Sequence, residues 1–287
     1  MNNNSLALLT GASGFIGGKI ADSLLREGRR VRAFARRPLP ELEARGIEVV
    51  VGELTNAAAL HRACAGVGTI FHVAARVGVW GPEEEFRRVN IEGTAALLAA
   101  ARAQSVARFI FTSSPSVIYS GGDLRGVDES APLCTAAPCA YPTSKAAAER
   151  LVRAANSPQL RTVALRPHLV WGPGDHHLVP RVIALARAER LRIVGTGENR
   201  VDLTHIDNVV SAHLLAERAL AAADAPAAGR AYFITNGEPV ALWPWINELL
   251  LRVGAMPIRL RLPLRRAAAI GAVCEALWTL FPLGGEP

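Results

Sequence analysis

A tyrosine and a lysine stand four positions apart in this sequence, and both residue types are rare in it. Tyr141 is one of three tyrosines and Lys145 is one of two lysines among 287 residues. On a helix this spacing places both side chains on one face, and Pro142 is expected near the first helical position. Because a cation stabilises a phenolate, we expect Lys145 to lower the pKa of Tyr141 from about 10 toward neutral pH. The pair therefore indicates acid–base catalysis.

Serine hydroxyls follow an apolar run that predicts a strand over residues 108–112. Ligands of open parallel sheets bind at the carboxyl ends of the strands, so a hydroxyl at this position would face the site. A serine there can donate a hydrogen bond to a substrate carbonyl oxygen as negative charge develops on it. We expect Ser114 to take this role, with Ser113 and Ser116 as alternatives.

A glycine-rich segment lies directly between the first predicted strand, residues 6–10, and the first predicted helix. Gly11 allows a sharp turn off the strand, Gly14 lets backbone N–H groups approach a pyrophosphate, and Gly17 lets the helix pack closely on the sheet. The amino end of the helix adds a partial positive charge that favours phosphates. The segment predicts a dinucleotide site, whose contacts would also include Ser13, Phe15 and Ile16.

The end of the second predicted strand, residues 30–35, distinguishes between the two nicotinamide dinucleotides. An acidic residue there would hydrogen-bond the adenosine ribose, but Arg36 and Arg37 stand in its place. Two guanidinium groups can pair with a 2′-phosphate, which favours NADP(H). NAD(H) remains the alternative, because 30 residues are arginines and a surface pair of them needs no ligand. Glu53 and Leu54 follow the third strand, where the adenine would lie.

These residues need a scaffold, and the first 170 positions alternate short apolar runs with longer helical patterns. The runs are mostly apolar throughout, as in strands that are buried on both faces. This order predicts an α/β fold with a doubly wound parallel (Rossmann) sheet. Strands are predicted at residues 6–10, 30–35, 47–51, 69–73, 108–112 and 162–166, and helices at 15–27, 56–65, 83–104 and 141–156.

The alternation breaks after the sixth strand, where proline and glycine punctuate shorter elements. We expect residues 1–170, with 207–236 returning to them, to form the dinucleotide-binding domain. Residues 171–206 and 237–287 are expected to form a smaller, partly interleaved C-terminal substrate lobe. Further helices are predicted at 178–190 and 207–221.

An apolar stretch near the end of the sequence, residues 267–283, has Glu275 near its middle. It is slightly short for a transmembrane span. The stretch therefore predicts an amphipathic helix of the lobe, with peripheral membrane contact as the alternative.

Composition narrows the classes of partner. Half of the residues are apolar, which indicates a sizeable core and excludes a disordered chain. The net charge is +7, but the arginines are scattered and no nucleic-acid motif is present, so we expect no nucleic-acid partner. The four cysteines lack zinc-ligand spacing, so no metal site is expected. No signal-peptide pattern opens the sequence, and we expect a cytoplasmic protein.

Over essentially its whole length the sequence resembles the extended short-chain dehydrogenase/reductases. The resemblance rests on residues 10–17, 72–75 (His-Val-Ala-Ala), 90–94, the Tyr141/Lys145 pair and 166–175. It implies that Ser114, Tyr141 and Lys145 form a catalytic triad. It also implies cofactor contacts from Ala74, Ala75, Asn90, Pro167, Leu169 and Val170.

Residues 75–81, 113–117 and 233–239 resemble the 3β-hydroxysteroid dehydrogenase-like branch, in particular reductases of bacterial long-chain olefin biosynthesis. The resemblance implies hydride transfer between NADP(H) and the ketone or secondary alcohol of an apolar small molecule. That substrate would be a 2-alkyl-3-oxoalkanoate (a β-keto acid) or a 3-hydroxy/3-keto steroid. A homodimer is also implied, as is a sequence that continues past residue 287. Substrate contacts are expected from Trp80, Ser116, His168 and Trp171.

Two other functions remain open. A nucleotide-sugar epimerase or dehydratase with tightly held NAD would use Arg200, Asp202 and His205 against a diphosphate or to close the lobe. The apolar segments around Trp80 and 243–245 and the arginines of the second strand disfavour it. A non-catalytic NADPH-sensing protein is disfavoured because such proteins usually lose the tyrosine and the lysine, and both are present here.

Overall fold

A seven-stranded parallel sheet is the centre of the first of two compact units in the computed structural model, which describes residues 5–281. This unit comprises residues up to His168 together with Ile206–Ile234. The strand order is β11-β6-β5-β4-β1-β2-β3. Strands β1 to β3 are added toward one edge of the sheet and β4 to β6 toward the other, so the order switches between β1 and β4. The strands are β1 Leu6–Thr10, β2 Val31–Ala35, β3 Glu48–Val51, β4 Val67–His72, β5 Arg108–Thr112, β6 Arg161–Pro167 and β11 Ala231–Ile234.

The doubly wound parallel sheet confirms the predicted fold class. The six predicted strands are present, with ends that shift by up to two residues. The seventh strand, β11, was not predicted as a strand. It lies at the edge of the sheet, where Tyr232 pairs with Leu165 in the register of β6. All five residues of β1 are buried, as expected for a strand in the middle of a sheet covered on both faces.

Helices cover the sheet and bury their small apolar residues against it. The main core cluster joins strand residues such as Leu8 and Phe109 to helix residues such as Leu60, Leu97 and Val152. The helices of this unit are α1 Phe15–Arg26, α2 Pro40–Glu43, α3 Ala57–Cys64, α4 Glu83–Phe86, α5 Gly93–Ala103, α6 Ala140–Ala154 and α8 Ile206–Ala221.

The prediction of one continuous helix over residues 83–104 is wrong in the middle of that range. Arg87–Glu92 forms a π-helical turn between α4 and α5. A π turn inserts an extra residue into a helix and is frequent at functional sites. This one places Asn90 inward, with only 2% of its surface exposed. Helical periodicity does not reveal such an insertion, because the apolar spacing on either side is still helical.

The helix that carries Tyr141 begins at Ala140, so Pro142 is its third residue and not its first. The first four N–H groups of a helix have no acceptor within the helix, so a proline is tolerated there. Most other helix ends lie within two residues of the prediction, and two helices differ from it by three residues. α7 is Leu178–Arg187, which is three residues shorter than expected, and α10 is Leu264–Leu280, which starts three residues earlier.

The second unit comprises Leu169–His205 and the described residues from 235 onward. It contains three two-stranded sheets, a core cluster around Ile193, Ile246 and Leu250, and helices α7, α9 and α10. Residues 282–287 of the predicted lobe, and the end of the helix predicted at 267–283, lie outside the described residues. The remaining elements are β7 Val170–Trp171, β8 Ile193–Val194, β9 Arg200–Val201, β10 Thr204–His205, β12 Val240–Ala241, β13 Arg261–Leu262 and α9 Leu242–Arg252.

No described residue of helix α10 is fully buried. Ile270, Val273, Leu277 and Leu280, which share one face, are all exposed. On another face of the same helix Ala267, Gly271, Cys274 and Trp278 are half-buried, so one face is exposed and another is partly covered. Within residues 5–281, no helix combines the length and the apolar character that crossing a membrane would need.

A fully buried ion pair ties α6 to the sheet. Arg166 on β6 donates to Glu149 on α6 at 2.6 and 3.1 Å, and neither side chain is exposed to solvent. Removing one partner leaves an uncompensated buried charge, whereas an exposed pair contributes little. We expect Glu149→Leu to lower the free energy of urea unfolding by about 3–5 kcal/mol. The matched control is Glu248→Leu, which removes the partner of Arg252 in an exposed pair on α9. An equal loss in both variants would contradict the prediction.

Candidate active site

The carboxyl edge of the sheet brings together the residues that the sequence singled out for chemistry. Ser114 follows β5 directly, and Tyr141 lies in the first turn of α6. The Ser114 side chain lies beside the phenol of Tyr141, where it acts to lower the pKa of that group. Ser116 supports this arrangement, since its backbone N–H donates to Ser114 Oγ at 3.2 Å and the two Oγ atoms lie 2.8 Å apart. A phenol and a serine hydroxyl therefore form one polar centre.

Lys145 lies one turn further along α6 and is almost completely buried. Its Nζ donates to the carbonyl oxygen of Thr112 at 2.7 Å and lies 4.0 Å from the centre of the Phe111 ring. Burial lowers the pKa of Lys145 to about 7, and the negative charge of Glu149 opposes that shift. The ammonium is thus held by a carbonyl, a ring face and a nearby carboxylate.

The expected effect of Lys145 on Tyr141 is wrong for this structure. Burial raises the pKa of Tyr141, and only the hydrogen bond from Ser114 acts in the opposite direction. The reason is that removing the phenolate from water costs free energy, while the ammonium is directed at Thr112. The phenol therefore keeps its proton at neutral pH.

Ser113 does not belong to this polar centre. Successive residues of an extended segment point in opposite directions, and Ser113 Oγ donates to Glu149 Oε2 at 2.6 Å inside the protein. Ser113 and Arg166 thus both bind the carboxylate of Glu149. Glu149 was not predicted as a functional residue. Its position four residues after Lys145, on the same helix face, is a signal that could have found it.

The glycine turn fits a dinucleotide pyrophosphate. Gly11 has φ +73°, and a Cβ on it would come 2.9 Å from the backbone nitrogen of Ala74. A Cβ on Gly17 would come 2.1 Å from the carbonyl oxygen of Gly11, so only glycine allows this contact between α1 and the turn. Helix α1 begins after Gly14 with no side-chain cap and no acidic residue in its first turn. Its N–H groups and partial positive charge are therefore directed at the turn. Ser13 is exposed there, and Phe15 and Ile16 are half-buried.

Arg36 and Arg37 follow β2 and are both exposed. Among residues 5–281, neither forms an ion pair or a side-chain hydrogen bond. Glu53, which follows β3, is also exposed, and its carboxylate lies 3.4 Å from Arg88. Leu54 packs against α5, where a Cβ on Gly93 would approach it to 2.8 Å. Two cationic groups are thus free for an anionic ligand beside the turn.

Asn90, held inward by the π turn, connects the loop after β4 to α6. Its Oδ1 accepts from the backbone N–H of Arg76 at 2.8 Å, and its Nδ2 donates to the Arg76 carbonyl at 3.0 Å. Nδ2 also donates to Ser144 Oγ at 2.9 Å, next to Lys145. The loop begins with the half-buried Ala74 and Ala75 and continues to Trp80. One amide therefore fixes the start of this loop relative to the helix that carries Tyr141.

The residues expected beside the nicotinamide and the substrate divide between the two units. In the first unit, Pro167 is buried at the end of β6, and the ring of His168 lies 5.4 Å from that of Phe233. In the second unit, Leu169 is exposed and Val170 pairs with Thr204.

Trp171, also in the second unit, contacts two other rings edge-on. The distances between ring centres are 5.2 Å to His205 and 5.6 Å to Trp245. The second unit therefore contains an aromatic cluster at Trp171. In the described part of the chain, no group of three or more His, Cys, Asp or Glu side chains could hold a metal ion.

Residues 8–264 match the model of the 3-beta hydroxysteroid dehydrogenase/isomerase family. The chain belongs to this family. It is therefore an oxidoreductase, a dehydrogenase or reductase that acts on hydroxyl or keto groups with a nicotinamide cofactor.

Similar proteins fall into two groups. The 2-alkyl-3-oxoalkanoate reductase of Stenotrophomonas maltophilia is 44% identical over 98% of this chain and 85% of its own length. The enzyme of the same name from Shewanella oneidensis is 41% identical over 99% of this chain and 75% of its own length. Among solved structures, MoeE5 in complex with UDP-glucose and NAD is 30% identical, with a TM-score of 0.74 over 91% of this chain and 86% of its own.

Two buried histidines make the stability of this family member depend on pH. Burial lowers the pKa of His72 from 6.5 to about 3, aided by the charge of Lys145, and lowers the pKa of His213 from 6.5 to about 4. Between these values the unfolded chain binds protons that the folded chain does not, so stability falls as pH falls. We expect the free energy of urea unfolding to decrease from pH 7 to pH 5, by up to about 1.4 kcal/mol per pH unit for each histidine. The slope should be shallower in a His72→Gln/His213→Gln variant, and an unchanged slope would contradict the assignment.

Proposed function

We propose that this chain is an NADP(H)-dependent reductase of the ketone of an apolar β-keto acid, a 2-alkyl-3-oxoalkanoate. The observation that carries the proposal is the position of the Ser114 hydroxyl beside a buried, protonated Tyr141 phenol at the carboxyl edge of the sheet. A neutral phenol beside a hydroxyl donor is suited to protonating a carbonyl oxygen.

The residues have distinct roles in reduction. The bound nicotinamide supplies hydride to the carbonyl carbon. Tyr141 donates its proton to the carbonyl oxygen, and Ser114 hydrogen-bonds that oxygen as it gains negative charge. Lys145, one turn further along α6, holds the ribose hydroxyls of the cofactor. The hydride and the proton together convert the ketone to the alcohol, and the reverse steps oxidise it.

Removal of the phenol should abolish the chemistry without abolishing cofactor binding. We expect Tyr141→Phe to lower kcat by about 10²- to 10⁴-fold while the Kd for NADPH changes little, because the ring is retained and only the proton donor is lost. Tyr232→Phe is the matched control, since Tyr232 lies on β11 and has no proposed role. Near-full activity of Tyr141→Phe would overturn the assignment.

The proposed cofactor site extends from the glycine turn to Arg36 and Arg37. Both guanidinium groups are exposed beside the turn, which supports pairing with a 2′-phosphate. The remaining contacts are assigned to Gly11, Ser13, Gly14, Phe15, Ile16, Gly17, Glu53, Leu54, Ala74, Ala75, Asn90, Tyr141, Lys145, Pro167, Leu169 and Val170.

Loss of these two charges should separate the two cofactors. We expect Arg36→Ala/Arg37→Ala to raise the KM for NADPH by about 10- to 100-fold and to leave the KM for NADH nearly unchanged, because only NADPH carries the 2′-phosphate. The control is Arg265→Ala/Arg266→Ala, which removes two consecutive exposed arginines of α10. Equal effects on both cofactors would indicate that the pair does not contact the phosphate.

The substrate assignment follows the two 2-alkyl-3-oxoalkanoate reductases. Contacts with the substrate are proposed from Trp80, Ser116, His168 and Trp171. The proposed substrate lobe comprises residues 171–206 and 237–287, and the proposed cofactor domain comprises residues 1–170 and 207–236. A screen of β-keto acids against 3-ketosteroids, with NADPH and NADH in parallel, tests this choice. Turnover of β-keto acids supports it, whereas turnover of 3-ketosteroids alone would assign the chain to the steroid enzymes of the family.

A second candidate is a nucleotide-sugar enzyme with bound NAD. The observation in its favour is the similarity to MoeE5, whose structure contains UDP-glucose and NAD. NAD that co-purifies with the protein, together with no oxidation of NADPH by any ketone, would favour this candidate.

A homodimer through residues 83–104 and 141–156 is also proposed. Leu151 on α6 is partly exposed, which is compatible with an interface there. Gel filtration that gave a monomer would overturn this proposal. A cytoplasmic location stays a prediction from the sequence.

A further inference from the structure

His72, the last residue of β4, is hydrogen-bonded at both ring nitrogens inside the protein. Nδ1 lies 2.8 Å from Thr10 Oγ1, and Nε2 lies 2.9 Å from Thr94 Oγ1. All three side chains are at most 1% exposed. The ring thus joins the last residue of β1 to the first turn of α5.

The partners of Thr10 fix the direction of these hydrogen bonds. The backbone N–H groups of Val73 and Ala74 both donate to Thr10 Oγ1, each at 3.1 Å. A hydroxyl oxygen has two lone pairs, and both are used here. The Thr10 proton is therefore donated to His72 Nδ1.

The directions of the remaining hydrogen bonds follow from this donation by Thr10. Because Nδ1 accepts, the proton of the neutral imidazole is on Nε2 and is donated to Thr94 Oγ1. The Thr94 hydroxyl in turn donates to the Asn90 carbonyl at 2.6 Å. A second ring proton on Nδ1 would meet an oxygen with no free lone pair, so the chain accommodates only the neutral ring. The resulting row of hydrogen bonds runs in one direction from β1 through β4 and α5 to the π turn.

The ends of this row are elements of the proposed cofactor site. Thr10 immediately precedes Gly11, the first residue of the glycine turn. Ala74 approaches Gly11 so closely that a Cβ on the glycine would come 2.9 Å from its nitrogen. At the other end, Asn90 belongs to the π turn and holds the loop at Arg76 and the helix at Ser144.

We infer that the Thr10–His72–Thr94 hydrogen-bond chain is a positioning device that fixes the glycine turn relative to the π turn, so that it controls dinucleotide affinity and not the chemical step. His72 is on this basis a positioning residue, since it contacts neither the substrate nor the reacting atoms. The inference rests on the proposed function, because it presupposes that NADPH binds at this turn.

Matched threonine variants test the inference. Thr10→Val and Thr94→Val each remove one link and keep the side-chain shape. Thr69→Val is the control, since Thr69 is equally buried, lies on β4 with His72 and accepts from Arg108 Nε at 2.8 Å. We expect Thr10→Val and Thr94→Val to raise the Kd and KM for NADPH by about 5- to 100-fold with kcat within about twofold of wild type. Thr69→Val should change neither.

The ring itself provides a rescue experiment. His72→Leu has neither a donor nor an acceptor, whereas the amide of His72→Gln has one of each. We expect weak NADPH binding in His72→Leu and substantial recovery in His72→Gln. The Kd for NADPH of the double variant Thr10→Val/Thr94→Val should be no higher than that of the single variant that binds NADPH less tightly. Either substitution already interrupts the hydrogen-bond chain.

The possible outcomes are distinguishable. If wild type does not bind NADPH, the proposed function fails. Suppose that wild type binds NADPH and that the folded Thr10→Val, Thr94→Val and His72→Leu proteins bind it with a Kd within twofold of the wild-type value. The inference of a positioning device is then overturned. Nitrogen-15 NMR of the imidazole groups in wild type tests the same chain without any substitution. A neutral ring protonated on Nε2 is expected for His72, and a charged ring or an Nδ1 proton would overturn the inference.

Discussion

The candidate site depends most on the interactions of the Glu149 carboxylate. It is fully buried, and it accepts from Arg166 on β6 and from Ser113 at the end of β5. A buried carboxylate is stable only when it is paired and hydrogen-bonded, so α6 must stay where these two partners can reach it. That helix carries Tyr141 and Lys145. The position of the proposed acid–base pair is therefore set by a charge inside the core.

Burial also determines the charges near the site. It raises the pKa of Tyr141 and lowers the pKa of both Lys145 and His72. In each case the shift favours the uncharged form, as expected where water is excluded. The ammonium of Lys145 nevertheless has Glu149 nearby and the carbonyl of Thr112 as acceptor, whereas the neutral His72 is satisfied by two hydroxyls. Groups that could repel one another thus coexist in a small volume.

Much of the fold and many of the local motifs could be predicted from the sequence. Six strands of the sheet have a local apolar signature, and the glycine turn has a fixed spacing between a strand and a helix. The π turn around Asn90 could not be predicted, since helical periodicity continues on either side of it. β11 was missed because its pairing with β6 lies far along the chain. Glu149 and His72 were missed as functional residues because their partners are distant in sequence.

The sequence by itself determined which residue types stand near one another along the chain, namely Tyr141 with Lys145 and the three glycines at the turn into α1. These relations are local, so helix and strand geometry suffices to interpret them. Only the tertiary structure decided that Ser113 faces Glu149 while Ser114 faces Tyr141, and that Lys145 donates to Thr112. Those outcomes depend on which groups lose contact with water together. Desolvation is a property of the packed protein and not of any segment.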